Sequence, residues 1–182
     1  MDKVRAKQIY NLSENTTGAA NDECKFCFER GEEGFLFSFD VRDEDIISPY
    51  EHDNDDIYDG DAVEVFISPT GDRTHYYEIE VSPFGKRFWA KIVNSTGVEL
   101  DLVDRVEPAY TAEVSRREGG YSVQIRLPYA SLEGFDGEKY LINAYRLDKK
   151  EDGRQLLYAL NPTFCPKFHR PKYFLSEEKG EN

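Results

Sequence analysis

Apolar and polar residues alternate with a period of two along most of this 182-residue chain. That pattern restricts the fold more than any other feature, because successive side chains on a strand point to opposite faces. Alternating runs occupy residues 4–10, 23–30, 35–41, 62–68, 75–82, 87–93, 98–103, 110–117, 121–127, 139–148 and 155–160. Turn chemistry separates them: Gly31 to Gly34, Ser68-Pro-Thr-Gly-Asp72, Ser82-Pro-Phe-Gly85, Asn94-Ser-Thr-Gly97, Glu118-Gly-Gly120 and Asp152-Gly153. No stretch sustains a 3.6-residue apolar stripe. The best helical candidate is one turn at 128–132, with Pro128 at its start. The expectation is an all-β, antiparallel, jelly-roll-like β-sandwich of about ten strands with almost no helix, in one domain over residues 1–182.

The alternation also sorts side chains. Val63, Val65 and Ile67 share one face, and Ala62, Glu64, Phe66 and Ser68 the other. Along the next run Tyr77, Ile79 and Val81 alternate with Tyr76, Glu78, Glu80 and Ser82. Each strand therefore has an aliphatic face for a core and a face mixing carboxylates with aromatic rings. A solvated sheet surface has that composition. So does a sugar-binding surface, which needs flat apolar rings beside hydrogen-bonding groups.

Charge narrows the partners. With 36 Asp and Glu against 23 Lys and Arg, the chain carries −13. That field repels phosphate backbones and anionic membranes, so neither nucleic acid nor membrane is an expected partner. Residues 40–61 hold ten acids and one base, −9 of the total. Such a segment is either a solvated acidic loop or one bridged by a hard cation, Ca²⁺ being the suitable one. Asp43 and Asp61, beside the flanking strands, are the favoured ligands. An EF-hand is excluded, because Tyr58 falls where the loop requires glycine. Met1-Asp-Lys-Val-Arg-Ala-Lys7 has no apolar run after its charges. The chain as it stands reads as cytoplasmic, and as extracellular if a leader precedes it.

Cys24, Cys27 and Cys165 are too few for a disulfide scaffold, and Cys24-Lys-Phe-Cys27 is half a zinc site without its other half. Free thiols are the expectation. The sequence shows no nucleophile elbow, phosphate loop, dinucleotide fingerprint or zinc-protease helix. Glu64, Glu78 and Glu80 can be nominated as a glycosidase-type acid and base, but in so acidic a chain the nomination carries little weight. No catalytic residue is assigned.

Several segments, in order, resemble family 9 carbohydrate-binding modules. Asp56-Ile-Tyr-Asp-Gly-Asp-Ala-Val-Glu-Val-Phe-Ile67 is similar to the family's aromatic residue followed by Asp-x-Val-Glu-hydrophobic-Phe. Tyr76-Tyr-Glu-Ile-Glu-Val-Ser-Pro-Phe-Gly85 resembles the next strand, with Ser82 in place of Asn. Leu127-Pro-Tyr-Ala-Ser-Leu132 resembles the "Ile-Pro-Phe" turn, and Asn143-Ala-Tyr-Arg146 the "Asn-Phe-Tyr-Arg" strand. Phe168-His-Arg-Pro-Lys-Tyr-Phe174 resembles the closing segment, with Leu175 where Gly is usual. The likeness spans about residues 34–175, leaving 176–182 as a polar tail.

The resemblance implies a β-sandwich that binds a mono- or oligosaccharide without cleaving it. Family members are often attached to glycoside hydrolases of carbohydrate catabolism. Ligand-binding members clamp a sugar between two tryptophans, whose positions Tyr58 and Phe168 take here. Glu64 takes the place of the sugar-contacting Glu; Asn143 and Tyr145 fall near polar contacts on a later strand. Arg146 faces the other way from both. Glu80, Trp89, Arg146 and His169 are secondary candidates, Trp89 as an alternative platform. A monomer is expected, with Ca²⁺ as an optional structural cofactor. The alternative is a structural or protein-interaction sandwich whose sugar site has decayed; a small glycoside-acting enzyme ranks below both.

Overall fold

The structure is a computed structural model that describes residues 8–178, and the side chains of residues 8–176. Its strands in chain order are β1 (Tyr10–Asn11), β2 (Ser13–Glu14), β3 (Cys24–Arg30), β4 (Gly34–Arg42), β5 (Ala62–Ser68), β6 (His75–Val81) and β7 (Arg87–Val93). After them come β8 (Leu102–Arg105), β9 (Thr111–Arg117), β10 (Gly120–Pro128), β11 (Lys139–Lys149), β12 (Gln155–Ala159) and β13 (Leu175–Glu178). All pairings are antiparallel. One sheet runs β1-β3-β4-β10-β9; the other runs β2-β12-β11-β5-β6-β7-β8, with β13 beside the start of β11. The result is the expected β-sandwich. Helix among the described residues is limited to three single 3-10 turns, one of them at Tyr129–Ser131 just after Pro128. No helix among these residues is long and apolar enough to cross a membrane.

The departures have local causes. Most of the run at 4–10 lies outside the described residues; its last residue, Tyr10, pairs with Phe26. The run at 98–103 begins as loop, because the Thr96 hydroxyl accepts the Val98 and Glu99 N–H groups and holds a turn. The strand starts only at Leu102. The supposed polar tail begins inside β13, where Leu175 pairs with Ile142.

The aliphatic faces meet as the period-2 pattern requires. Val63, Val65, Ile67, Tyr77, Ile79 and Val81 pack against Phe26, Phe37, Phe39 and Val123 of the facing sheet. Trp89 belongs to this layer. It is 2% exposed and packs edge-on to Tyr77 and against Tyr110, each at 5.5 Å. Trp89 is a core residue on the opposite side of the sheet from Glu64, and the alternative-platform reading is corrected accordingly.

The other face of the larger sheet is not left to solvent. Ala62, Phe66, Tyr76, Phe88, Leu141, Tyr145 and Leu147 form a second apolar layer on it. Two loops roof that layer. The acidic segment brings Ile57, and the segment after β12 brings Phe168 and Phe174. The acids of the first loop act as hooks. Asp61 accepts the N–H groups of Ile47 and Lys149, the latter at 2.7 Å, and Asp53 accepts the backbone N–H and guanidinium of Arg87. Gly60 permits the approach, since a Cβ there would lie 2.8 Å from the Ile47 carbonyl oxygen. The second loop is held by buried Asn15, whose carboxamide donates to Thr163 Oγ1 and the Cys165 carbonyl and accepts the Thr163 N–H.

Candidate functional site

Between the two roofing loops the sheet is open along a cleft of about 480 Å³. Phe66, Phe88 and Leu147 form its apolar floor together with Glu64 and Glu78. Tyr58, Arg105 and Val103 stand on one side, and Pro166 to His169 on the other. The cleft has the size of a small-ligand pocket, with apolar surface around a few polar groups.

Tyr58 sits on the 3-10 turn Ile57–Asp59, anchored by fully buried Ile57. The residue is 37% exposed, and its ring meets Phe88 edge-on at 5.9 Å. Gln155 Nε2 donates to the Tyr58 carbonyl at 2.7 Å, and Arg105 donates to its hydroxyl at 3.3 Å. Arg105 in turn lies over Phe88 at 5.1 Å and is paired with Asp56 at 2.5 Å. A ring held this way overhangs the cleft without being sealed into the core.

Phe168 faces it from the other loop, only 7% exposed. One face of its ring is covered by Tyr145, stacked at 4.1 Å and 20°, and the Tyr145 hydroxyl donates to the Phe168 carbonyl at 3.2 Å. Tyr145 is thus a fully buried support beneath Phe168. Asn143 also lies beneath the roof. Its Nδ2 donates to the Asn161 carbonyl at 2.9 Å, and its Oδ1 accepts the Asn161 N–H at 3.0 Å. Of the five proposed contacts, the structure brings Tyr58, Glu64 and Phe168 to one cleft and places Asn143 and Tyr145 behind it.

The secondary candidates divide similarly. His169 lines the cleft, its ring stacked on Phe66 at 4.9 Å. Burial, with a smaller contribution from Arg170, pushes its pKa down to about 4, so the imidazole is neutral near pH 7. Its Nδ1 meets the Tyr76 hydroxyl at 2.9 Å and its Nε2 faces Glu78 at 3.5 Å. A proton on Nε2 suits both neighbours. Glu80 is fully buried behind the cleft. Arg146 points to the opposite face, as its parity requires, between Asp43 at 3.3 Å and Asp148 at 3.5 Å. Arg170, next to His169, donates to the Val98 carbonyl at 2.6 Å.

The carboxylates on the floor are strongly perturbed. Burial, then the Glu78 charge, holds Glu64 well above the usual carboxylate range. Burial carries Glu78 up to about 7, and a hydrogen bond from the Glu80 carboxyl works against that rise. Glu80 is raised well above its usual value by burial and by both neighbouring acids. In each case burial disfavours the charged form, and the neighbouring acids add to that for Glu64 and Glu80. Elsewhere, Asp43, Asp61 and Asp148 each bring an oxygen within 4.8 Å of the others. Both acidic clusters exclude cysteine, and all three thiols are free.

Sequence reasoning did not anticipate Phe88, Arg105 or the Tyr76–His169 contact as parts of this site. The available signal for Tyr76 and Phe88 was strand parity, since both share the face of Glu64 through β6 and β7.

Comparison with known proteins supplies context. The model of the family described as "Carbohydrate family 9 binding domain-like" matches residues 4–174. Among solved structures, a putative carbohydrate-binding protein from Bacteroides uniformis superposes with a TM-score of 0.78 at 17% identity, covering 93% of this chain and 85% of that one. A family 9 carbohydrate-binding module from Caldicellulosiruptor kristjanssonii in complex with cellotriose gives 0.68 at 14% identity, covering 95% and 83%. The same kind of module from that organism with glucose gives 0.62 at 13%, covering 95% and 87%. A search of the curated proteins found no match.

Proposed function

The chain belongs to the carbohydrate family 9 binding domain-like family, and from that premise we propose that its cleft receives the end of a saccharide and holds it without cleaving it. The observation that carries this reading is the juxtaposition of the half-exposed Tyr58 ring with the Glu64 carboxyl on the floor below. A pyranose can lay its C–H face on the ring while a hydroxyl reaches the acid; a well-formed charge-assisted hydrogen bond contributes about 1.5–3 kcal/mol. Phe168 and His169 close the far side. Glucose and cellotriose, seen bound in the two Caldicellulosiruptor modules, are the first ligands to test.

A binding role fits the carboxylates better than hydrolysis. Glycosidases place their two acids on either side of the scissile bond. Here Glu64 is paired in register with Glu80, and Glu78 follows on the same face of the same strand. All three lie beneath a ligand and none flanks it. Calorimetric titration with glucose and cellotriose, with thin-layer analysis of the recovered sugar, tests the reading. Saturable binding with intact sugar supports it; no binding at millimolar ligand, or cleavage, refutes it.

The ring and carboxyl contacts of this reading do not themselves call for a cofactor. Structural Ca²⁺ at Asp43 and Asp61, with Asp148 as third ligand, is proposed from the acidic segment. Arg146 and Lys150 already stand in that cluster, Lys150 at 2.8 Å from Asp148. The ion competes there with two built-in cations, so binding is expected only at millimolar concentration. The reading further takes the chain as a monomer without nucleic-acid or membrane partners.

A further inference from the structure

Three carboxylates meet under the cleft with no cationic side chain among them. Glu64 and Glu80 stand directly opposite each other on β5 and β6, and Glu78 lies two residues from Glu80 on the same face. All three are buried, and one oxygen from each lies within 4.8 Å of the other two. Apart from the proton shared with Glu78, no donor reaches either oxygen of Glu80, and none reaches Glu64 Oε2. The nearby bases are otherwise engaged: Arg105 is paired with Asp56, and the His169 imidazole is neutral.

The second acidic cluster sharpens the contrast. Asp43, Asp61 and Asp148 have Arg146 and Lys150 beside them and two backbone N–H groups on Asp61. Its charge is answered from within the protein. At Glu64, Glu78 and Glu80 the answer is partial: Arg105 acts only from a distance and the His169 imidazole faces Glu78 alone, on a sheet face otherwise covered by Phe66, Phe88 and Leu147. Buried acids without partners are costly, and they persist where something supplied from outside compensates them.

We propose that Glu64, Glu78 and Glu80 hold a divalent cation of the Ca²⁺ class at the floor of the cleft, and that its open coordination positions accept neighbouring hydroxyls of the saccharide. The spacing fits. Oxygens bound to one Ca²⁺ at about 2.3–2.6 Å can lie up to about 5 Å apart across the ion. Every donor in the cluster is a hard oxygen, which selects Ca²⁺ or Mg²⁺ over thiophilic and imidazole-seeking metals. Glu64 and Glu78 line the cleft while Glu80 lies behind them, so one side of the ion is protein and the other faces the ligand space. The hydroxyl contact rests on the carbohydrate reading; the ion site itself does not.

The test uses the full chain stripped with EDTA, exchanged into chelator-free buffer, and titrated calorimetrically with CaCl₂, with and without cellotriose. One equivalent of Ca²⁺ binds more tightly than the millimolar site at Asp43 and Asp61, and it is this equivalent that the variants report. Glu80→Gln weakens it by about tenfold to a hundredfold, whereas Asp43→Asn leaves it within about threefold. An unchanged or higher melting temperature for Glu80→Gln shows that the variant is folded. Cellotriose affinity falls about tenfold or more in EDTA, the scale of a lost ion ligand. The proposal is overturned if no Ca²⁺ binds up to about 10 mM, beyond the weakest ordinary protein sites. It is equally overturned if binding is lost in Asp43→Asn and kept in Glu80→Gln. Tighter binding of glucosamine than glucose by the metal-free protein also overturns it, assigning the acids to an ammonium group. Cellotriose binding indifferent to EDTA refutes the ion bridge and leaves the carbohydrate reading standing. Ca²⁺ seated at Glu80 with no saccharide binding confirms the ion and refutes the carbohydrate reading.

Discussion

Asn143 is the residue at which contact with a ligand and support of the fold make opposite predictions. In the structure it touches no part of the cleft. It is fully buried on β11, and its carboxamide makes three hydrogen bonds: one donated to the Asn161 carbonyl, and two accepted from the N–H groups of Asn161 and Ala144. Replacing it by alanine strands those three backbone groups under the roof. A buried group left unpaired costs about 1–3 kcal/mol, and partial rehydration at the loop lowers the sum to about 2–4 kcal/mol. For a chain of this size, each kcal/mol moves the melting temperature by about 2–4 °C, so a fall of about 5–15 °C is expected. The damage should be local first. Amide hydrogen exchange in residues 160–174 should accelerate more than in β5 or β6, because the roof opens before the sheets separate. Saccharide affinity should fall only about threefold to tenfold, through displacement of Phe168 and His169. Differential scanning calorimetry, exchange and ligand titration on the same sample decide the matter. A melting temperature within about 1 °C of the parent, with affinity lost by more than about tenfold, would mean that Asn143 touches the saccharide and that the roof does not depend on it.

The other expectations are simpler. Tyr58→Ala should cost about 1–3 kcal/mol of saccharide binding with little change in melting temperature, because the ring overhangs the cleft; an equal loss from Tyr58→Phe would move the weight to the hydroxyl. Trp89→Ala should destabilise the fold by about 3–5 kcal/mol, and Trp89 emission should be insensitive to saturating sugar, since the indole is packed between the sheets; quenching by ligand would contradict that placement. Millimolar Ca²⁺ acting at Asp43 and Asp61 should raise the melting temperature beyond matched NaCl, by an increment that Asp61→Asn reduces to the part contributed at Glu80; the same shift from both salts would indicate screening alone.

The sheets were legible in the sequence because their faces differ. Residues 62–68, 75–81 and 87–93 alternate between a core side and a mixed side, and the structure pairs them as consecutive antiparallel strands. β8 was misplaced for the converse reason. All four of its residues are exposed, so no burial pattern marks where it begins. β2 has two residues, too few to show a period. The site was legible only in part, and the limit is again physical. Parity puts Glu64, Glu78 and Glu80 on one side of a sheet, together with Asn143 and Tyr145. It says nothing about which of them a loop will cover. That depends on polar pairs far apart in sequence: Asp61 with Ile47 and Lys149, Asn143 with Asn161, Asn15 with Thr163. Each is a carboxylate or amide capturing a backbone group across the fold, and hydrophobic periodicity carries no trace of it. The roof these pairs hold turns five residues of one face into two classes. Glu64 and Glu78 keep a side open to the cleft, while Asn143, Tyr145 and Glu80 are sealed beneath or behind it. The chemistry of the site therefore rests on loops that a strand pattern cannot show, and a substitution at any of their anchors should reach the cleft without touching it.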